Sequence, residues 1–409
     1  CSSDLTWQTL KRLSKNYPEH SFHFLFDRNP EFNESLNSNI RVHVIRPKAR
    51  HPLAYLFWME LRVFAWLKHH QPDLFFSPDG MLCLRYKGKQ MGVIHDLNFE
   101  HRPQDLRWFD IRYYQTFYPR FAKKAWKLLT VSEFSKLDIH QTYSIESNKI
   151  EVVYNGINEG YKPLPADAKQ NIRIRHTAGK PYWIFLGSLH PRKNILGLLK
   201  AYHRYRNLGG THLLVLCGSK YWGNYDADAY ILQNRLQDAV IFINQQPLTE
   251  INLLVAAAEA LCLISFFEGF GIPVIEAMQC GTPVICSNTT ALNEIAADAA
   301  IKVAPDNIQA IAEALMTIEQ NFTLKTQLIE KGLRRAKDFS WDQTADRVAK
   351  AMELQYRFKI SHHSINGSRL LTNPFTVAFF PVGILSPRQL LFPGFYQCFF
   401  RMNTKCKMI

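Results

Sequence analysis

The stretch Ser265 to Gly281, SFFEGFGIPVIEAMQCG, constrains the chain more than any other. It follows an apolar run, Ala260 to Ser265, with the length and residue types of a buried strand. A loop holding Gly269 and Gly271 leads to Pro273, which opens a short amphipathic helix, and Gly281 closes it. Proline in the first turn and glycine just past the last are the expected helix punctuation. This places Glu268 on the loop and Glu276 about one turn into the helix, seven residues between them. In an open parallel sheet, ligands bind outside the carboxyl ends of the strands, where a strand, loop, helix order puts both carboxylates. Bare glycine backbone there lets a polyhydroxylated or anionic ligand approach the main chain. Taken alone, the stretch reads equally well as a surface loop with one solvated Glu and one Glu favoured by the helix dipole.

Around it the chain alternates short apolar runs with helical stretches. FHFLF, RVHVI, LFFSP, MGVIHD, KLLTVS and EVVYN occupy the region from Phe22 to Asn155. A second series is expected at Tyr182 to Gly187, Leu213 to Gly218, Val240 to Ile243, Ala260 to Ser265, Pro283 to Ser287 and Ala300 to Val303. Strands alternating with helices predict an α/β chain with parallel sheets. At 409 residues with 47% apolar composition, the length suits two domains. The polar stretch GYKPLPADAKQN separates the two series, so residues 161–173 are read as a linker.

After the first strand of the second series comes GSLHPRKNILGLLKAYHRYR. Arg192 and Lys193 fall at the start of a helix, where free N–H groups already favour phosphate. His95 and Asp96 close the strand MGVIHD. A single histidine at a strand end is more often structural than functional.

Taken together, EGFGIPVIEAMQCGTPVICS, VIHDLNFEHRPQDL, TVSEFSKLDI, VVYNGIN and SLHPRKN, all within residues 90–305, resemble the nucleotide-sugar-dependent retaining glycosyltransferases of family four. The resemblance implies a GT-B fold, two Rossmann-like doubly wound parallel-sheet domains facing across a cleft. It implies an N-terminal acceptor-side domain over 1–160, a nucleotide-sugar domain over 174–340 and a crossover helix over 341–358. Within the site it implies that Glu268 contacts the transferred sugar, Glu276 the ribose hydroxyls, and Arg192 and Lys193 the donor diphosphate. Gly187, Gly269, Phe270, Gly271 and Ile272 complete the donor contacts, and His95 lies beside the transferred sugar. The implied donor is a nucleoside-diphosphate hexose and the implied acceptor a saccharide or lipid-linked saccharide, with mannose and surface polysaccharide the frequent choice. Neither cofactor nor metal is expected. A sugar-nucleotide 2-epimerase of the same fold and a non-catalytic sugar-nucleotide-binding protein are the rival readings.

Two features depart from the family. Asn244, Gln245 and Gln246 stand where a glycine usually follows the third strand of the second domain. Cys1 opens directly into the helical pattern LTWQTLKRLSKNYPEH, so the first strand and its Gly-rich loop are expected to be missing. Residues 359–409 carry six basic residues and no acid, are rich in Phe, and contain Pro374, Pro381, Pro387 and Pro393. They are read as a tail outside both domains, either an anchor on an anionic membrane surface or a stretch foreign to the fold.

The remaining signals exclude other chemistries. No GxGxxG, P-loop, G-x-S-x-G or zinc spacing occurs. Asp226 and Asp228 form a D-x-D that reads as a solvated loop or helix start. Eight cysteines without paired short spacing point to a cytoplasmic location, with peripheral contact at the inner face of the membrane. The net charge of +14 is dispersed and carries no nucleic-acid motif, so nucleic acid is not an expected partner.

Overall fold

Strands buried on both faces read as continuous apolar runs, and the chain folds them into two all-parallel sheets. The computed structural model describes residues 2–30, 35–49, 52–219, 225–354 and 375–379. In chain order the strands are β1 (Ser21–Phe26), β2 (Ile40–Val44), β3 (Leu74–Ser77), β4 (Gln90–Val93), β5 (Lys127–Thr130), β6 (Ile150–Val152), β7 (Tyr182–Leu186), β8 (Leu213–Cys217), β9 (Val240–Ile243), β10 (Ala260–Leu263), β11 (Val284–Ser287), β12 (Ile301–Val303) and β13 (Thr376–Phe379). The second sheet runs β12-β11-β10-β7-β8-β9. Strand order reverses between β7 and β10, which opens a crevice at their carboxyl ends. Gly187 follows the first of these strands and Glu268 the second.

The first sheet runs β2-β1-β13-β3-β4-β5-β6. Its centre is filled by residues from late in the chain, which corrects one expectation: Thr376–Phe379, read as tail, is core. β13 pairs with β1 through Ser21↔Thr376 to Phe24↔Phe379, and with β3 through Leu74↔Val377 to Phe76↔Phe379. Val377, Ala378 and Phe379 are fully buried. The physical reason is that a parallel sheet with a central vacancy exposes two unpaired edges, and TVAF has the β-branched and aromatic content that pairs there. The rest of the segment read as tail, 359–374 and 380–409, lies outside the described residues.

One other boundary differs from the sequence reading. The stretch taken as linker contains the start of the helix Ala166–Thr177. That helix belongs to the second half, because Arg173 donates to the carbonyl of Ala257 at 3.0 and 2.9 Å and to Glu259 at 2.6 Å. The helix Trp341–Ala351 returns to the first half, where it packs beside the helix Ser2–Asn16. Thr344 donates to the Tyr154 carbonyl at 2.6 Å and Lys127 to the Ala351 carbonyl at 3.3 Å. Asp226 and Asp228 sit in the first turn of the helix Tyr225–Gln233, Asp226 and Asp228 both exposed. Among the described residues no helix is long and apolar enough to cross a membrane.

Candidate active site

At the β7–β10 crevice the two cations and the first glutamate form one buried cluster. Arg192 Nη1 donates to Glu268 Oε2 at 2.8 Å and to the Phe267 carbonyl at 2.9 Å. Lys193 Nζ donates to Glu268 Oε1, which also accepts from Ser265 Oγ at 2.7 Å. Burial alone would raise the Glu268 carboxyl, but the adjoining Lys193 and Arg192 outweigh it and hold it at about 2. The carboxylate is therefore ionised at neutral pH, and beside the two cations it leaves the cluster with one net positive charge. The short turn Pro191–Lys193 presents both cations, and His190 caps it by accepting from the Arg192 N–H at 3.3 Å. Burial, then Arg192 and Lys193, push the His190 imidazole down to about 3, so the ring stays neutral and Nδ1 keeps the lone pair that accepts from the Arg192 N–H.

The glycine loop touches the opposite half directly. A Cβ on Gly269 would stand 2.4 Å from the His95 carbonyl oxygen and 2.7 Å from Asp96 Cβ. His95 itself lies between Nε2 bonded to the Pro78 carbonyl at 2.9 Å and an Nδ1 without a hydrogen-bond partner among the described residues. A carbonyl can only accept, so the proton sits on Nε2 and Nδ1 keeps its lone pair. Burial lowers this imidazole to about 4. His95 is thus a neutral imidazole with a buried acceptor nitrogen beside the Gly269 loop.

Gly271 takes a φ of 97° and starts the helix Ile272–Gln279, where Pro273 brings no N–H and the Val274 N–H donates to the Gly271 carbonyl at 2.9 Å. The side chains of Phe270 and Ile272 are buried, Phe270 against Tyr154 and Phe339 with centroids 6.2 and 5.7 Å away. Their side chains therefore belong to the core, and only their main chain is free to meet a donor. Gly187 takes φ 139°, and the lack of a side chain at Gly218, whose Cβ would fall 1.9 Å from the Gly187 carbonyl oxygen, lets the two strand ends approach.

Glu276 stands apart from the charged cluster. It is 5% exposed and bonded to Tyr161 and Asn158. Burial raises its carboxyl to about 7, and Asp4 on the first helix adds to the rise. Asn244 and Gln245, after β9, lie at the surface.

Residues that sequence reasoning left out complete the site. Ser132 and Ser135, within TVSEFSKLDI, both donate to the Gly269 carbonyl, at 2.8 and 3.3 Å. Ser135 also donates to the His95 carbonyl at 3.1 Å. Their S-x-x-S spacing after a strand is the available signal, since it marks a helix N-cap. His101 stacks on Phe267 at 5.4 Å, and the Arg102 guanidinium lies 4.5 Å from the Phe266 ring centroid. The halves thus meet around the loop that carries Glu268.

Comparison with known proteins decides the lineage. Residues 6–161 match the family described as Glycosyltransferase Family 4, and residues 168–335 match Glycosyl transferases group 1. The chain belongs to the GT-B glycosyltransferases of family four. O-antigen chain mannosyltransferase B of Escherichia coli is 28% identical over 297 residues, 71% of this chain and 77% of that protein. O-antigen chain mannosyltransferase RfbU of Salmonella typhimurium is 28% identical over 266 residues, 65% of this chain and 70% of that one. The Anabaena protein HepE, solved in complex with UDP-glucose, superposes with a TM-score of 0.65 at 17% identity, covering 82% of this chain and all of that one. The GT-B fold places the β7–β10 crevice of this glycosyltransferase across from the β4 end that carries His95.

Proposed function

We propose that this glycosyltransferase moves a hexose from a nucleoside-diphosphate sugar to an acceptor hydroxyl with retention of configuration. The observation that carries the reading is the buried Arg192, Lys193 and Glu268 cluster at the strand-order reversal. It is a preorganised, net cationic anchor for a diphosphate, held ready by one carboxylate. As the bond from the anomeric carbon to the diphosphate oxygen breaks, charge grows on the leaving phosphate, and Arg192 and Lys193 meet it. The acceptor oxygen then bonds to the anomeric carbon on the face the diphosphate leaves, and its proton passes to the departing phosphate. Stabilisation of developing charge by fixed groups is usually the largest catalytic contribution. His95 Nδ1 accepts from a sugar hydroxyl, Glu276 accepts from the ribose diol, and the cations replace a metal. Mannose and a surface-polysaccharide acceptor are the preferred substrates, because the two relatives named above are O-antigen mannosyltransferases.

Contact with an anionic membrane belongs to the same reading. Trp108 and Phe109 are each 65% exposed at the start of the helix Trp108–Lys124, which also carries Arg112, Arg120 and Lys123. Exposed aromatics beside cations suit an interface where a lipid-linked acceptor would be held.

The test offers GDP-, UDP- and ADP-hexoses with a lipid-linked saccharide, with and without EDTA. Transfer that survives chelation is expected, with Arg192→Ala slowing turnover about 100- to 1000-fold, the size of losing one preorganised donor. Activity restored to the chelated enzyme only by manganese, interconversion of the donor without acceptor, or nucleotide binding without turnover would each sink the proposal.

A further inference from the structure

The helix Glu133–Tyr143 has its N-terminus at the junction of the two halves, and its capping is divided between them. Ser132 is the N-cap and accepts from the Ser135 N–H at 3.0 Å, while the Lys136 N–H reaches the Ser132 carbonyl at 3.0 Å. The two N–H groups that remain, those of Glu133 and Phe134, are satisfied by neither. They donate to Glu294, at 3.0 Å to Oε1 and 2.9 Å to Oε2. Glu294 lies on the helix Thr290–Ala296 of the second half, 160 residues along the chain from Phe134. Its Oε1 takes a further hydrogen bond from Tyr154 Oη at 2.9 Å, again from the first half. On its own side the helix that carries Glu294 is held in place by Arg335, which donates to the Glu294 and Ile295 carbonyls at 3.1 and 3.0 Å.

We infer that Glu294 is the positioning residue that latches the cleft closed for transfer. A single carboxylate here completes the cap of a helix in the opposite half and meets the positive end of its dipole, so three charge-assisted bonds form only when the halves are together. The same helix start carries Ser132 and Ser135, which hold the Gly269 carbonyl. Closure by Glu294 therefore sets the main chain of the loop that contains Glu268. Opening leaves the Glu133 and Phe134 N–H groups and the carboxylate to water, and lets Gly269 leave His95. Gln at this position keeps one acceptor oxygen but turns an amide N–H₂ toward the second donor.

The inference rests on the transferase reading only for its kinetic arm. In the full chain without substrate, Glu294→Ala is expected to enlarge the radius of gyration in X-ray scattering and to speed amide exchange at Glu133 and Phe134 about tenfold, the scale of a local opening. With substrates, kcat/KM should fall about tenfold, within the usual range of coupling between sites. Glu294→Gln should lie between parent and Ala in all three. Parent-like scattering and exchange in Glu294→Ala would overturn the latch whatever the kinetics. Open, fast-exchanging Glu294→Ala protein with parent turnover would overturn its role in positioning. An inactive parent with the opening intact would instead count against the transferase reading alone.

Discussion

Glu276 and Glu268 are both buried carboxylates, yet their surroundings drive them in opposite directions. Lys193 and Arg192 hold Glu268 ionised, while Glu276 has Tyr161 and Asn158 as hydrogen-bond donors, and burial raises it to about 7 from 4.5. Between those two values the folded protein keeps a proton that the unfolded chain has released, so raising the pH through this window costs stability. The full difference is about 3 kcal/mol once the pH passes neutrality, because each tenfold change in proton affinity is worth about 1.4 kcal/mol. Glu268 has the opposite sign, and its contribution is lost only as the pH falls below the ordinary carboxylate range toward 2. Urea unfolding should therefore find that parent stability falls between about pH 4.5 and 7 relative to Glu276→Gln. Parallel curves for the two proteins would show that Glu276 ionises normally. Because the ribose diol needs an ionised acceptor, donor affinity should also weaken as the pH drops below about 7, with proton release on binding seen by calorimetry.

The loop from Ser265 to Gly271 works as an element because its two glycines face different neighbours. The Gly269 position abuts backbone of the other half, the His95 carbonyl, while a Cβ on Gly271 would face the flexible end of Leu292, 2.4 Å from its Cδ2. Gly269→Ala should therefore hold the halves apart and lower turnover by about 100-fold, as a small misplacement does, while the second half unfolds as before. Gly271→Ala meets a positive φ and should act on stability instead, costing roughly 1 to 2 kcal/mol. Thermal unfolding and steady-state kinetics of the pair separate the two effects, and equal behaviour would contradict this division. These elements were largely legible in the sequence. β7, β8 and β10 are continuous apolar runs, and their expected ends fall within two residues of the observed ones. Contacts between elements were not. Nothing local marks Glu294 as the partner of Phe134, because a cap donated across a cleft leaves no periodicity behind. The packing of Phe270 as core was equally hidden, since the same loop carries main chain for a ligand and a side chain for the junction with Tyr154 and Phe339.

At the scale of the whole molecule, the first sheet depends on four residues from late in the chain. TVAF is too short for a strand pattern to stand out beside Pro374 and Pro381, and no neighbouring run announces the vacancy it fills. Only the pairing partners make it a strand. Phe379 packs against Phe22, Phe24 and Phe76 with centroids 5.7, 5.7 and 5.3 Å away, and it lies in one cluster with Leu5 and Leu10 of the first helix. Replacing a buried Phe with Ala costs about 3 to 5 kcal/mol, so Phe379→Ala should lower the unfolding midpoint of the first half while the second half keeps its own. Ending the chain after residue 361 should do more, because β1 and β3 then face each other across an empty place with their edge groups unpaired. The shortened protein is expected to lose parallel-sheet signal in circular dichroism and to self-associate. Adding a synthetic peptide spanning residues 374–381 should recover part of the signal, since main-chain pairing supplies affinity for an added strand. A shortened chain with parent circular dichroism, midpoint and turnover would remove β13 from the sheet and return those residues to the surface.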